Sequence, residues 1–371
     1  MNRKIKAVII GFAHMHVNEV AQYITAEREA MTLCAAADVL PDIPEQSCAR
    51  YTRSWNRDNI KNNYCNNIYA DYREMLDAEK PDVAFILCET SKKADAVREC
   101  AMRGVDVSIE KPMALSLDEA LRIKSYVEKY GIFAMVNYPL TWRGYLHTIK
   151  RVIASGKLGR LIKLHFRIGN TGPVGRGAKH RGVSEAAENM TDAQKASLWW
   201  YNKSQGGGAL LDFCCYGCML STWYSQGDAL EVSCSAYNEA TGFADICDNA
   251  VAVVGYENSL SVLEGTWTTP SRAIPAGPTV YFENGVVECR SEGGAAVPFA
   301  YDIYGNDVDL SEFEAPLPPQ FKNIAAMYAH RVRNGGEVHE TLRFDTNMRI
   351  MALLDAARRS AESGRRERVS E

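Results

Sequence analysis

The sequence predicts an α/β protein of two domains: a parallel, doubly wound sheet first, then a domain on a mainly antiparallel sheet. Three observations carry this. Strand-length apolar runs alternate with helical stretches through residues 1–136, the mark of βαβ units. From residue 137 on, strands follow one another across short polar turns. The length, 371 residues, exceeds what one hydrophobic core usually serves. The domain limits read as 1–136 and 137–340, with a C-terminal helix and tail over 341–371 expected to pack back on the first domain.

Ile5–Ile10 is a β-branched run that ends at Gly11, and a helix is expected over 15–26. Residues 32–38 form a second strand that ends in an acid, Asp38. A helix over 71–76, a strand over 82–88, a helix over 91–102 and a strand over 105–110 follow. Ser116-Leu117-Asp118-Glu119 resembles a capping box that opens a helix to Tyr130, and Gly131 stops that helix. A strand over 132–137 completes the array. In the second domain, strands are expected over 161–168, 230–237, 250–256, Leu260–Thr266 and Thr279–Phe282. Glu257-Asn258-Ser259 and Glu283-Asn284-Gly285 are hairpin signals. Helices close the chain near 320–332 and 345–363, the last stopped by Gly364. The Gly-rich, basic segment 172–182 reads as a mobile surface loop.

Composition excludes several classes. With 46% hydrophobic and 24% charged residues and a net charge of -4, nothing attracts nucleic acid in general. No apolar run is long enough to span a bilayer. The N-terminus leads into a strand and lacks a cleavable signal. The 11 cysteines, an odd number scattered through apolar segments, suit reduced thiols and a cytoplasmic protein. Cys215-Tyr216-Gly217-Cys218 has no second pair, so it reads as buried thiols, and no metal site is assigned.

Four motifs carry chemistry. Gly11-Phe12-Ala13-His14-Met15-His16 sits where a glycine-rich phosphate turn sits, after a strand and before a helix. Only its first glycine is present, so the helix N-terminus, with its N–H groups and partial positive charge, is what offers a phosphate site. Asp38 ends the second strand, where a carboxylate accepts the ribose hydroxyls of NAD and repels the 2′-phosphate of NADP. Glu110-Lys111-Pro112 closes the strand over 105–110, which places a lysine at the ligand crevice of an open parallel sheet. Gly206-Gly207-Gly208 precedes an apolar stretch, and the glycines allow close backbone approach to a ligand. If residues 210–223 are helical, Asp212 and Tyr216 stand four apart on one face, a carboxylate beside a phenol.

In this order, these motifs resemble the glucose–fructose oxidoreductase / inositol dehydrogenase / MocA family over nearly the whole chain. The resemblance implies an N-terminal Rossmann NAD(P)-binding domain and a C-terminal α/β domain. The large open sheet of that second domain often makes an oligomer interface, so a homo-oligomer is expected. It implies an oxidoreductase acting on a sugar, glycoside or polyol, with NAD favoured over NADP by Asp38. It carries catalytic roles to Lys111 and Asp212. Two positions depart from the family pattern: Tyr216 stands where many members have histidine, as in the glucose–fructose oxidoreductase branch. Cys88-Glu89-Thr90 and Lys93 replace a Thr-Pro and a histidine.

The expected site follows from both readings. Cofactor contacts are assigned to Gly11, Phe12, Ala13, His14, Met15, His16, Asp38, Cys88, Glu89, Glu110, Lys111 and Asn137. Substrate contacts are assigned to Tyr138, Trp142, Arg143, Trp200, Asp212 and Tyr216. Tyr216 is expected to take the hydroxyl proton as hydride leaves the carbinol. Lys111 either lowers the pKa of that phenol or is itself the base, its own pKa depressed by burial. Asp212 holds a substrate hydroxyl or orients Tyr216. The alternatives are oxidation of a glycoside at its 3-hydroxyl, glycosidic cleavage through a transient keto-sugar, and a non-catalytic sugar- or NAD-sensing regulator. No partner other than a small molecule and further copies of the chain is expected.

Overall fold

The computed structural model describes residues 3–370 except Arg176 and Gln226. The first sheet comprises β1 (Ile5–Ile10), β2 (Met31–Ala37), β3 (Ile68–Tyr69), β4 (Val83–Ile86), β5 (Asp106–Glu110) and β6 (Ala134–Asn137). All pairings are parallel, in the order β3-β2-β1-β4-β5-β6. The crossover helices are α1 (His16–Ala26), α2 (Arg53–Asn63), α3 (Tyr72–Glu79), α4 (Lys93–Ala101) and α5 (Leu117–Tyr130). Strand order reverses between β1 and β4, so a ligand crevice opens beyond their C-termini. Gly11, Asp38, Cys88, Lys111 and Tyr138 all follow strand ends there. The chain pattern did not reveal α2, which buries only Arg53, Asn56 and Ile60 and so has no apolar stripe. Ser116 caps α5 by accepting the Glu119 N–H at 3.3 Å, and Gly131 ends it in the left-handed region.

The second sheet has nine strands. They are β7 (Leu161–Gly169), β8 (Glu231–Tyr237), β9 (Asn249–Gly255), β10 (Leu260–Thr266), β11 (Thr279–Phe282), β12 (Gly285–Glu292), β13 (Ala295–Asp302), β14 (Asp307–Val308) and β15 (Glu367–Arg368). The order is β14-β13-β12-β11-β7-β10-β9-β8-β15, antiparallel except for β7 beside β10. Both hairpin signals turn where expected, Phe282 pairing with Gly285 and Gly255 with Leu260. β12 and β13 were not expected: β12 turns polar after Val287, and Pro298 interrupts the apolar run of β13.

The remaining helices are α6 (Gly144–Ser155), α7 (Asp192–Ala196), α8 (Cys215–Tyr224), α9 (Ile324–Asn334) and α10 (Phe344–Ser363). α6, α8 and α10 cover one face of the second sheet. The other face leaves Tyr237, Val251, Val253 and Leu260 exposed. α10 lies mainly against β8 and α8, and touches α5 and β6 of the first domain. The tail thus bridges the domains, and β15 extends the second sheet by pairing with β8. α9 packs on α1. One apolar core runs through both sheets, and a second apolar cluster, including Ala13, Met15, Tyr51, Trp199, Trp200 and Trp267, joins the domains at the crevice.

Candidate active site

The Gly11 turn is held from below. Gly11 sits at φ +95°, and a Cβ there would stand 2.4 Å from the Cys88 backbone nitrogen, so only glycine fits. Cys88 is fully buried beneath it, and burial pushes its thiol up. The Cys88 side chain, expected at the cofactor, supports the turn from the core. Phe12 and Met15 are also core side chains. The Phe12 N–H donates to Asp38 Oδ1 at 3.2 Å, and its carbonyl accepts from Asn56 at 2.9 Å. His14 N–H donates to Leu87 and His16 N–H to His14 Nδ1. Among the described residues, the Ala13 and Met15 N–H groups have no partner, which leaves two donors at the start of α1 for an anion.

Asp38 does not stand alone. Its Oδ1 also takes the Arg53 guanidinium at 2.6 Å, and Arg53 pairs with Glu89 by its other nitrogen. Arg53 escaped the sequence reading because it belongs to α2, whose apolar pattern is absent. Burial pushes the Glu89 carboxyl up, although Arg53 opposes this. Glu45, which accepts the Arg53 N–H at 2.8 Å, is pushed up to about 7 by burial. One guanidinium therefore faces several carboxyls at the end of β2.

Glu110-Lys111-Pro112 is not a surface ion pair. Glu110 Oε1 meets His16 Nδ1 at 3.0 Å, and Oε2 accepts from Asn137 at 2.9 Å. Burial alone raises a carboxyl, but the charge and hydrogen bond of His16, with Lys111 and Asn137, together outweigh it and hold Glu110 low. Burial alone lowers His16, but Glu110 outweighs it and holds the imidazole above its usual value. Lys93 is fully buried and donates to the carbonyls of Glu110 and Pro112, each at 2.8 Å. Burial pushes Lys93 down to about 8. It thus braces the segment that carries Lys111.

Lys111 Nζ donates to Asp212 Oδ1 at 2.6 Å and to the Asp212 carbonyl at 2.9 Å. The Trp267 indole N–H holds the other carboxylate oxygen at 3.1 Å. The ammonium lies 4.5 Å from the Tyr216 ring centroid, on its π-face. Asp212 lies in a widened helical turn, Leu210–Cys214, and Tyr216 in the first turn of α8. They therefore meet through Lys111 and share no hydrogen bond. The expected titrations are overturned. Burial alone lowers a lysine, but Asp212, Tyr216, Cys215 and Glu110 together outweigh it and hold Lys111 well above its usual value. Burial pushes the Tyr216 phenol up, and the Lys111 charge does not offset that. Both groups hold their protons at neutral pH.

The three glycines also act differently from expectation. A Cβ on Gly206, Gly207 or Gly208 would meet Thr90, the Trp200 carbonyl at 2.1 Å, or Cys247. They let chain pack on chain. Trp199 donates its indole N–H to the Ala13 carbonyl at 2.9 Å and stacks on Trp200, whose ring meets His14 edge-on at 4.7 Å. Tyr138 meets Tyr216 edge-on at 5.9 Å and is fully buried. Trp142 and Arg143 are elsewhere: with Tyr145, Arg167 and Arg272 they line a surface cleft of about 810 Å³ that includes none of Lys111, Asp212 or Tyr216. They follow β6 in sequence, but the chain turns there into α6 and away from the crevice.

The described residues of the segment 172–182, all but Arg176, pack on the site, which corrects its reading as a mobile surface loop. Gly182 lies against the backbone of Asn18 in α1. His180 donates from Nε2 to the Pro173 carbonyl at 2.7 Å and meets Tyr51 edge-on at 4.8 Å. Burial, aided by the charges of His16 and Lys111, pushes His180 down to about 4, while Asp212 opposes. Its glycines and basic residues gave no hint of this contact.

Several buried polar atoms here have no partner: His14 Nε2, Arg53 Nε, Glu89 Oε2, Asn137 Oδ1, Tyr138 Oη and Trp200 Nε1. Buried polar groups are normally paired, so this concentration at the strand ends suits a polar ligand. With the free Ala13 and Met15 N–H groups, these donors and acceptors suit the polar groups of a dinucleotide. His14, His16 and Glu110 also bring one ligand-type atom each within 4.8 Å of one another.

Comparison with known proteins agrees. The profile for an oxidoreductase family with an NAD-binding Rossmann fold matches residues 5–138, and the GFO/IDH/MocA C-terminal domain matches residues 146–288. The chain is 29% identical over 102 residues to the uncharacterized oxidoreductase YrbE of Bacillus subtilis, covering 27% of this chain and 30% of that one. It is 27% identical over 146 residues to D-xylose dehydrogenase of Paenarthrobacter nicotinovorans, covering 39% of this chain and 34% of the relative. The chain thus spans about a third of the length of these curated relatives. A longer match, 23% identical over 309 residues, covers 80% of this chain and 83% of D-xylose 1-dehydrogenase (NADP(+)) 2 of Haloferax volcanii. Among solved structures, the WlbA dehydrogenase of Bordetella pertussis in complex with NADH and UDP-GlcNAcA is similar in fold, with a TM-score of 0.74, 18% identity and 100% of both chains covered. With both domains of one family matched in order, and with the fold and the Lys111 crevice those domains build, the chain belongs to the GFO/IDH/MocA oxidoreductase family.

Proposed function

We propose that the protein is an NAD-dependent oxidoreductase that moves hydride between nicotinamide and a secondary hydroxyl of a sugar, glycoside or polyol. The observation that carries this reading is the buried Lys111–Asp212 pair, which joins the end of β5 to the second domain. Relatives whose names print xylose and scyllo-inositol as substrates support the substrate class.

Bound nicotinamide supplies the hydride acceptor or donor. The chain supplies the rest. The Ala13 and Met15 N–H groups would hold the pyrophosphate, and Asp38 Oδ2 a ribose hydroxyl. A carboxylate at the end of β2 disfavours a 2′-phosphate, which supports NAD over NADP. Asn137 Oδ1 would accept from the carboxamide. Asp212 takes two of the three N–H groups of Lys111, and the third is left for the reacting oxygen. In the direction of reduction, Lys111 gives that oxygen a proton as charge develops on it. In oxidation it must first lose a proton, which the positive charge of oxidised nicotinamide favours. Tyr216, with its proton retained, supports the ammonium by its ring. The open face of the second sheet supports a homo-oligomer.

The test is a panel of polyols, free sugars and glycosides with NAD, read by NADH formation and product analysis. NADH formation with at least one secondary alcohol of these classes is expected. NADH binding without turnover on any of them would reject the reading, and a faster reaction with NADP would reject the Asp38 assignment.

A further inference from the structure

His14 stands in the turn before α1 and is 1% exposed. Its Nδ1 accepts the N–H of His16 at 3.2 Å. A ring nitrogen that accepts carries no proton, so the neutral ring has its proton on Nε2. That Nε2 is buried and has no partner. An orphaned buried donor costs about 1–3 kcal/mol and is kept where something else satisfies it. The ring packs edge-on against Trp200 of the second domain and lies 4.4 Å from the His16 ring, so it stands where the two domains meet. Burial, then the charges of His16, Lys111, Lys93 and His180, hold it well below the usual histidine range. The positive end of α1 acts in the same sense. The ring is therefore a neutral donor throughout the neutral pH range.

We infer that His14 Nε2–H is a second catalytic donor, hydrogen-bonded to the oxygen of the reacting carbon opposite Lys111. This rests on the oxidoreductase reading above. As hydride reaches the carbonyl carbon, a C–H bond forms and the carbonyl π pair moves onto oxygen. The His14 hydrogen bond strengthens as that charge grows and transfers no proton. Lys111 supplies the proton that makes the hydroxyl, and the nicotinamide is oxidised. In the reverse direction the same bond stabilises the alkoxide-like oxygen. A neutral donor suits this task because it adds no further cation beside Lys111 and the nicotinamide.

The ligand-type atoms of His14, His16 and Glu110 invite a divalent cation as the other explanation. Ligation through His14 Nε2 would need the ring proton on Nδ1, where it would oppose the His16 N–H. Lys111 and Lys93 also stand near as cations. A phosphate oxygen of the cofactor is a second acceptor that Nε2–H would suit, and the experiment separates it from the substrate oxygen.

The experiment compares wild-type protein, His14→Phe and His14→Gln with a sugar or polyol found active in the panel. It also records NADH affinity by fluorescence and turnover after chelation with EDTA. Removing one such donor is expected to lower kcat by about 10²–10³-fold in His14→Phe. NADH affinity should stay within about twofold, since no bond to the cofactor is lost. His14→Gln, which keeps an N–H donor, should recover about tenfold or more of that loss. EDTA should change nothing. Histidine ¹⁵N spectra of the wild type should report the His14 proton on Nε2 at neutral pH, a readout that survives if a variant does not fold. Near-normal kcat in His14→Phe, a loss confined to NADH affinity, a proton on Nδ1, or inactivation by EDTA with rescue by zinc or manganese would each overturn the inference. Active wild type with an equally active His14→Phe defeats this inference alone. Wild type inactive on the whole panel defeats it together with the reading it rests on.

Discussion

Replacing Lys111 by methionine should damage stability and catalysis by separable amounts. The ammonium is 2% exposed and Asp212 7%. Lys111→Met removes the 2.6 Å contact and leaves the Asp212 carboxylate buried with only the Trp267 N–H at 3.1 Å. Breaking a buried ion pair from one side costs about 3–5 kcal/mol, because the partner charge remains uncompensated. Asp212→Asn likewise strands a buried ammonium. The double variant Lys111→Met/Asp212→Asn buries no charge at this point and should recover most of the lost stability. Turnover should not recover, since the proton donor is gone, and a loss of about 10²–10⁴-fold is expected in both Met variants. Urea unfolding of the four proteins, with steady-state kinetics on each, measures both effects. A double variant as unstable as the sum of the singles would refute the electrostatic argument. Normal turnover in folded Lys111→Met would refute the catalytic one.

Other consequences are open to test. Asp38→Ala should weaken NAD by about 10-fold, the worth of one charge-assisted hydrogen bond, and improve the use of NADP in steady-state kinetics. Because Lys111 titrates above its ordinary 10.5, its acid form persists through neutrality. Reduction should therefore stay flat as pH rises through the neutral range, while oxidation should climb; initial rates in both directions check this. Gly207→Ala should cost about 1–3 kcal/mol or more in urea unfolding, since its Cβ would stand 2.1 Å from the Trp200 carbonyl.

The chain pattern disclosed what depends on periodicity and on strand ends. β1, β10 and β11 run where the apolar residues place them, and Gly131 and Gly364 stop their helices. Lys111 and Asp212 were legible because each stands at a fixed point beside a strand end or a glycine run. Arg53 and His180 were not. α2 has no apolar stripe, and the loop that carries His180 is ordered by contacts with Tyr51 and α1, which are distant in sequence. Titration was also illegible: a lysine beside a phenol suggests a depressed pKa, but Asp212 Oδ1 at 2.6 Å and the further acidic groups packed around Lys111 reverse the sign. Trp142 and Arg143 misled because closeness in sequence to β6 does not survive the turn into α6.

Direct hydride chemistry governed by Lys111 is tested most sharply by a secondary alcohol from the panel carrying deuterium on the carbinol carbon, incubated with NAD and either wild-type or Lys111→Met protein. Deuterium is expected in the NADH formed by the wild type, with almost none formed by the variant. NADH formed without deuterium, or equal labelled NADH from the variant, would contradict it.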